Sequence, residues 1–216
     1  MHPNPVFHDA DDAANLSFAR ERAFGVLAVS GGGGAAPMLS HVPFLLSDDG
    51  AWAELHLMRS NPIVRALKVP RAARLAVSGP DGYISPDWYG LADQVPTWNY
   101  VAVHLNGELE LRPESGLRSL LDRQSAFYEA RLAPKPAWSA AKMDAEALAR
   151  LMRMIVPVQM RISAVEGTWK LNQNKPHDVR MRAAASAEQG LGAGLAELAA
   201  LMRAARAEPA TPGSSS

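Results

Sequence analysis

The sequence predicts an α+β fold built on an antiparallel sheet or small barrel, and three observations lead there. Short apolar strand candidates follow one another closely from residue 24 onward. Most are joined by turn-forming residues, not by helices of ten or more residues, which argues against a doubly wound parallel sheet. The helical patterns collect at the chain ends and between the later strands.

Residues 9–23 open with acidic residues that suit a helix N-terminus, and Leu16, Phe18 and Ala19 supply an apolar stripe. A strand is expected at 24–29. The Gly31 to Gly34 run then reads as a hairpin connection, because it lacks the Lys-Ser or Lys-Thr and the helix of a phosphate-binding loop. Strands follow at 37–46 and 51–57, joined by a turn at Asp48-Asp49-Gly50. Asn61 caps a short helix through Leu67, with Pro62 at its first position. A fourth strand is expected at 74–78, a turn at 79–82 and a long strand at 97–111, which Asn106-Gly107 can bend. Helical spacing of Leu117, Leu120, Leu121, Gln124 and Phe127 marks residues 113–131. Asp144 caps a helix to about Met154. A strand at 156–165 and a turn at Glu166-Gly167 precede a polar cluster, a helix from Pro176 and a terminal helix at 191–207.

Hydrophobic residues make up 48% of the 216, enough for a sizeable core in one domain with appendages. Lys plus Arg equals Asp plus Glu at 22 each, which argues against a general binder of nucleic acid or membrane surfaces. The absence of cysteine excludes disulfides, thiolate metal sites and a cysteine nucleophile. The N-terminus lacks the basic start and apolar run of a signal peptide, and no run of about 18 apolar residues predicts a membrane span. A cytoplasmic protein with no membrane association is the expectation.

The most distinctive stretch is 83–107, YISPDWYGLADQVPTWNYVAVHLNG. A loop carrying Trp88, Tyr89 and Trp98 needs a surface to lie against: its own domain, a ligand or a second subunit. It belongs to an ordered series: SHVPFLL at 40–46, HLMRSNP at 56–62, GPDGYISPDWY at 79–89, VPTWNYVAVHLNG at 95–107 and KLNQNK at 170–175. Over residues 1–182 this series resembles the PaiB-type family, described as FMN-binding negative transcriptional regulators. The resemblance implies an antiparallel split β-barrel of the pyridoxamine-phosphate-oxidase-like kind, a homodimer with FMN at the subunit interface. It implies an FMN-binding domain over 1–182 with inserted helices at about 113–154; beyond it the residues read as a helical extension at 183–207 and a disordered tail at 208–216. The chain departs from the family at the Gly31 to Gly34 run, at His2, where an aromatic is usual, and at Asn172, where Ser is common.

FMN needs cations and hydroxyl or amide donors for its phosphate, and polar groups at the ring edge. Arg59, Ser60 and Asn61 offer a charge, a hydroxyl and a helix start in three residues; the alternative is an ordinary cap with an exposed arginine. Arg65 lies one to two turns on. The strand at Ser40, His41 and Val42 offers backbone and an imidazole to the ring, unless His41 is a satisfied core histidine. His56 leads toward Arg59. Trp98 is either a wall of the pocket or an interface anchor, and alternation puts Asn99 and Tyr100 on opposite faces. The family position of Lys170 and Gln173 implies an approach to the flavin, where a surface turn is the plain alternative. His41, His56 and His104 lack metal-ligand spacing, so no metal is expected. No acid–base dyad or nucleophile elbow stands out, so no catalytic residue is named.

The expected function is a homodimeric FMN-binding regulator. The alternative is an FMN-dependent oxidoreductase acting on a small molecule or haem. Direct DNA binding has weak support: the net charge is zero, no helix-turn-helix appears, and the last helix offers only Arg203 and Arg206.

Overall fold

A computed structural model describes residues 1–206 of the chain. The fold is α+β, an antiparallel split β-barrel with peripheral helices. Its strands are β1 (Phe24–Val29), β2 (Met38–Pro43), β3 (Leu45–Leu46), β4 (Trp52–Met58), β5 (Arg71–Ile84), β6 (Thr97–Leu111), β7 (Ile155–Lys170) and β8 (Gly192–Ala193). The sheet order is β2-β1-β5-β6-β7-β4-β3, and β8 pairs with β5. The helices are α1 (Asp12–Arg22), α2 (Pro62–Ala66), α3 (Leu117–Glu129), α4 (Ala145–Met152), α5 (His177–Ala187) and α6 (Leu195–Ala204). Among the described residues no helix is long and apolar enough to cross a membrane.

The chain forms two compact units. An internal unit comprises Leu16–Val77 and His104–Val165, and a terminal unit comprises Met1–Asn15, Ser78–Val103 and the chain from Glu166. The division falls inside α1, β5, β6 and β7.

In the internal unit, β1 and β4 alternate buried and less buried residues, as the period-2 pattern requires. Register pairs Leu27 of β1 with Ser40 of β2, and Leu55 of β4 with Val158 of β7. Leu27, Leu55, Leu75 and Leu105 are fully buried, each burial contributing about 1.5–3 kcal/mol. The buried stripe of α3 is Leu117, Leu120 and Gln124, the predicted helical spacing with one polar member. The predicted turn after β3 forms: Asp49 Oδ1 accepts from Ser47 Oγ at 2.6 Å and from Ala51 N at 3.0 Å. Gly50 there has φ of 72°, in the left-handed region that glycine enters without strain.

In the terminal unit, Asn4 caps a 3-10 turn (Pro5–Phe7). α5 and α6 pack together, and Ala183, Ala184 and Ala187 of α5 and Leu198, Ala199 and Met202 of α6 are buried. Alanine on α5 lets the helix axes come close.

Three expectations about elements are corrected. The predicted turn at 79–82 is part of β5, and Gly82 pairs with Gly192 of β8. Its composition reflects a close approach: a Cβ at Gly82 would lie 2.8 Å from Leu198 Cδ2. The predicted turn at Glu166-Gly167 is likewise inside β7. A Cβ at Gly167 would sit 2.0 Å from Asn15 Oδ1, which accepts from Trp169 Nε1 at 2.8 Å. The predicted strand at 37–46 breaks at buried Phe44, whose N–H donates to Ala23 O at 3.0 Å, so residues 45–46 turn to pair with β4. The proposed tail at 208–216 lies outside the described residues.

Candidate functional site

Seven of the ten sequence-predicted site residues lie in the internal unit. β2 ends the sheet order, and its alternation places Ser40 with buried Val42 on one face and exposed His41 on the other. His41 is therefore not a core histidine. Its ring stacks on exposed Phe24, with centroids 6.4 Å apart. Three side chains on alternating faces cannot all meet one ligand, but the backbone of an end strand can present N–H and C=O groups in sequence.

Asn61 joins β2 to α2. Its Oδ1 accepts from Ile63 N at 2.9 Å, capping the helix, and its Nδ2 donates to Ser40 Oγ at 3.3 Å. Arg59 is held by the chain entering β7. Its N–H donates to Met154 O at 2.8 Å, its Nε donates to Arg153 O at 3.0 Å, and its Nη1 pairs with Glu114 Oε1 at 2.9 Å. Arg65 folds back so that Nη1 donates to Ser60 O at 2.9 Å. Two guanidinium groups and the exposed Ser60 thus gather at one turn. The Arg59–Glu114 pair has side chains 46% and 65% exposed, so it contributes only about 0.2–1 kcal/mol, and a dianion can replace Glu114.

His56 is half-buried on β4. Its Nδ1 lies 3.0 Å from Gln124 Oε1 and donates to it, leaving Nε2 as the acceptor of a neutral ring. Burial lowers its pKa, and the Gln124 bond opposes that more weakly. The sign is set by the depressed folded value. Stability from the neutral ring is present above the ordinary value of 6.5 and is lost as pH falls from there through the folded value. Urea unfolding should show a loss of stability on acidification from pH 6.5 downward that is smaller in His56→Gln; equal losses would show that His56 does not titrate in the fold.

Trp98, Lys170 and Gln173 lie in the terminal unit. Trp98 is 44% exposed and meets Tyr83 edge-on at 6.4 Å, whereas Asn99 is buried and Tyr100 half-buried, so the alternation is as expected. Gln173 is buried and spends its amide on its own turn: Oε1 accepts from Leu171 N at 2.8 Å and Nε2 donates to Trp169 O at 2.5 Å. Lys170 Nζ donates to Thr97 Oγ1 and lines a cavity of about 430 Å3, with Lys175, Asn172, Tyr89 and Phe7 among the other walls.

Sequence reasoning left several of these residues unassigned. Glu114 and Gln124 give no local motif, although Gln124 announces itself as the polar member of an apolar stripe. Asn172 and Lys175 sit in the KLNQNK cluster, where position alone does not say which side chains turn inward.

The end strand β2 and the turn carrying Arg59 and Arg65 offer backbone polar groups and two guanidinium groups to an anionic ligand. A family model described as "Putative FMN-binding domain" matches residues 1–164, so the chain belongs to that family, whose cofactor is FMN. Within it the chain is of the PaiB type. It is 27% identical over 174 residues to the protease synthase and sporulation protein PAI 2 of Bacillus subtilis, covering 79% of this chain and 82% of that protein. Two solved structures share the fold. The FAD and heme binding protein of Mycobacterium smegmatis superposes with TM-score 0.54 at 16% identity, covering 85% of this chain and 80% of that one. The flavocytochrome Anf3 of Azotobacter vinelandii gives TM-score 0.54 at 15% identity, covering 78% and 72%.

The residues present fit FMN. Arg59 and Arg65 supply charge, Ser60 a hydroxyl, and β2 an end-strand backbone suited to the polar edge of the ring. Bound FMN supplies one- and two-electron redox chemistry.

Proposed function

We propose that the chain is an FMN-binding homodimer that acts as a regulator of the PaiB type in the cytoplasm. The observation that carries the flavin assignment is the turn in which Arg59, Ser60, Asn61 and Arg65 converge beside Ser40. In this reading the phosphate takes Arg59 in place of Glu114, with Ser60 and Arg65 alongside. His56 stays neutral toward the ribityl chain, and the ring lies along Ser40 to Val42. The name of the PAI 2 relative, with its reference to protease synthesis and sporulation, supports a regulatory role. Purified protein should be yellow and bind FMN stoichiometrically. Colourless protein with no saturable FMN binding after reconstitution would reject the reading.

The dimer is proposed to form through the aromatic segment. Leu91, Val95 and Trp98 are 46%, 74% and 44% exposed, and exposed apolar side chains gathered in one segment suit a subunit contact. Light scattering should give twice the chain mass for the wild type, and Trp98→Asp should shift it toward monomer. A wild-type monomer with FMN bound would remove the dimer and leave the flavin assignment standing. Direct DNA contact is tested by mobility shift of its own upstream duplex at low salt, where phosphate contacts are strongest. No shift there means that regulation runs through another protein.

A further inference from the structure

The cavity in the terminal unit brings two lysines and a buried amide together. Lys170 Nζ donates to Thr97 Oγ1 and lies 5.9 Å from the Phe7 ring centroid. Lys175 Nζ donates to Gln94 Oε1 at 2.5 Å and lies 4.9 Å from the Tyr89 centroid. Among the described residues neither lysine has a carboxylate partner. Burial lowers the pKa of Lys170. Asn172, a residue of the cavity lining, is 2% exposed; its Oδ1 accepts from Tyr89 Oη at 3.4 Å, while its Nδ2 is buried without an acceptor. Asp93 is the one carboxylate in the lining, and it is exposed. Asn99, fully buried with both amide atoms unpartnered, stands on the same face of β6 as Thr97.

Each ammonium group donates to one neutral oxygen and meets no carboxylate, which leaves its charge and further N–H donors unmatched, and a buried amide donor without an acceptor is costly. What satisfies all three together is an anion with several acceptor oxygens. Phe7, Tyr89 and Val95 add an apolar surface for the rest of the molecule, and about 430 Å3 falls in the range of small-molecule sites. We propose that this cavity binds the oxyanion of a small organic ligand, a carboxylate or a phosphate, between Lys170, Lys175 and the Asn172 amide. Two sources share this chemistry: the phosphate of the flavin itself, and a separate anionic substrate or effector. The proposal does not depend on Arg59 being the phosphate ligand.

Isothermal titration of the full chain with inorganic phosphate and with acetate tests it, before and after FMN loading. Saturable binding of either anion is expected. Lys170→Met, Lys175→Gln and Asn172→Asp should each weaken it by about tenfold or more, the size of one charge-assisted hydrogen bond. Lys142→Gln, on a 3-10 turn of the internal unit, should leave it unchanged. Thermal melts of each variant separate lost binding from lost folding, and the more peripheral Lys175→Gln keeps the test open if Lys170→Met does not fold. Binding that persists after FMN loading identifies a separate ligand. Binding abolished by FMN, together with FMN affinity that falls in Lys170→Met and not in Arg59→Ala, identifies the flavin phosphate as the anion. No saturable binding in either form, or affinities unchanged in all three variants, overturns the proposal.

Discussion

Arg59→Ala should weaken FMN binding about 10- to 100-fold, the loss of one or two charge-assisted hydrogen bonds from a guanidinium to a phosphate. The arginine is already positioned without the flavin, because Met154 O and Arg153 O hold its backbone and Nε. Little ordering cost is therefore left for binding. The same geometry predicts an opposite effect nearby. Glu114 occupies Nη1, so Glu114→Gln should raise FMN affinity, by no more than about fivefold given the small worth of an exposed ion pair. Quenching of flavin fluorescence on titration measures both. Arg59→Ala within about twofold of wild type would place the phosphate elsewhere, whatever the Glu114 variant does.

The largest stability effect is expected at Gly107. A Cβ there would lie 2.0 Å from Arg161 O and 2.9 Å from Arg161 C, both backbone atoms of β7. No rotamer change relieves a clash with backbone, so β6 and β7 must separate locally, and Gly107→Ala should cost about 3 kcal/mol, the upper end of overpacking. Gly33→Ala provides the contrast. Its φ is 53° and nothing lies within 4 Å of the added Cβ, so only the left-handed backbone penalty of about 1–2 kcal/mol remains. Urea midpoints at fixed pH compare the two. Equal losses would mean that β6 yields freely at Gly107.

Much of the architecture was legible because it depends on periodicity and local chemistry. β1 and β6 have the predicted bounds, Asn61 and Asp144 cap the helices they were expected to cap, and the stripe of α3 follows its spacing. Two of the three failures share one cause. Gly82 and Gly167 read as turn residues because glycine in a polar neighbourhood signals a turn locally. Here each is required by a side chain distant in sequence, Leu198 and Asn15 respectively. The candidate site divides in the same way. The sequence marks Arg59 and Asn61 through a compact motif, but whether a polar side chain turns toward a ligand or toward its own backbone depends on packing. Gln173 turns to its own backbone, whereas Asn172, one residue earlier, accepts from Tyr89 Oη beside the cavity.

Neither unit is a continuous length of chain. The internal unit needs two separated stretches and the terminal unit three, the last beginning at Glu166. During synthesis the internal unit has all its strands once Val165 is available, while the first 15 residues and the aromatic segment must wait for the end of β7 and α5. A fragment cut at any point between Leu16 and Val165 therefore carries neither unit whole. Inside that span the two units have to be dissected by point substitution, because a cut there breaks both at once.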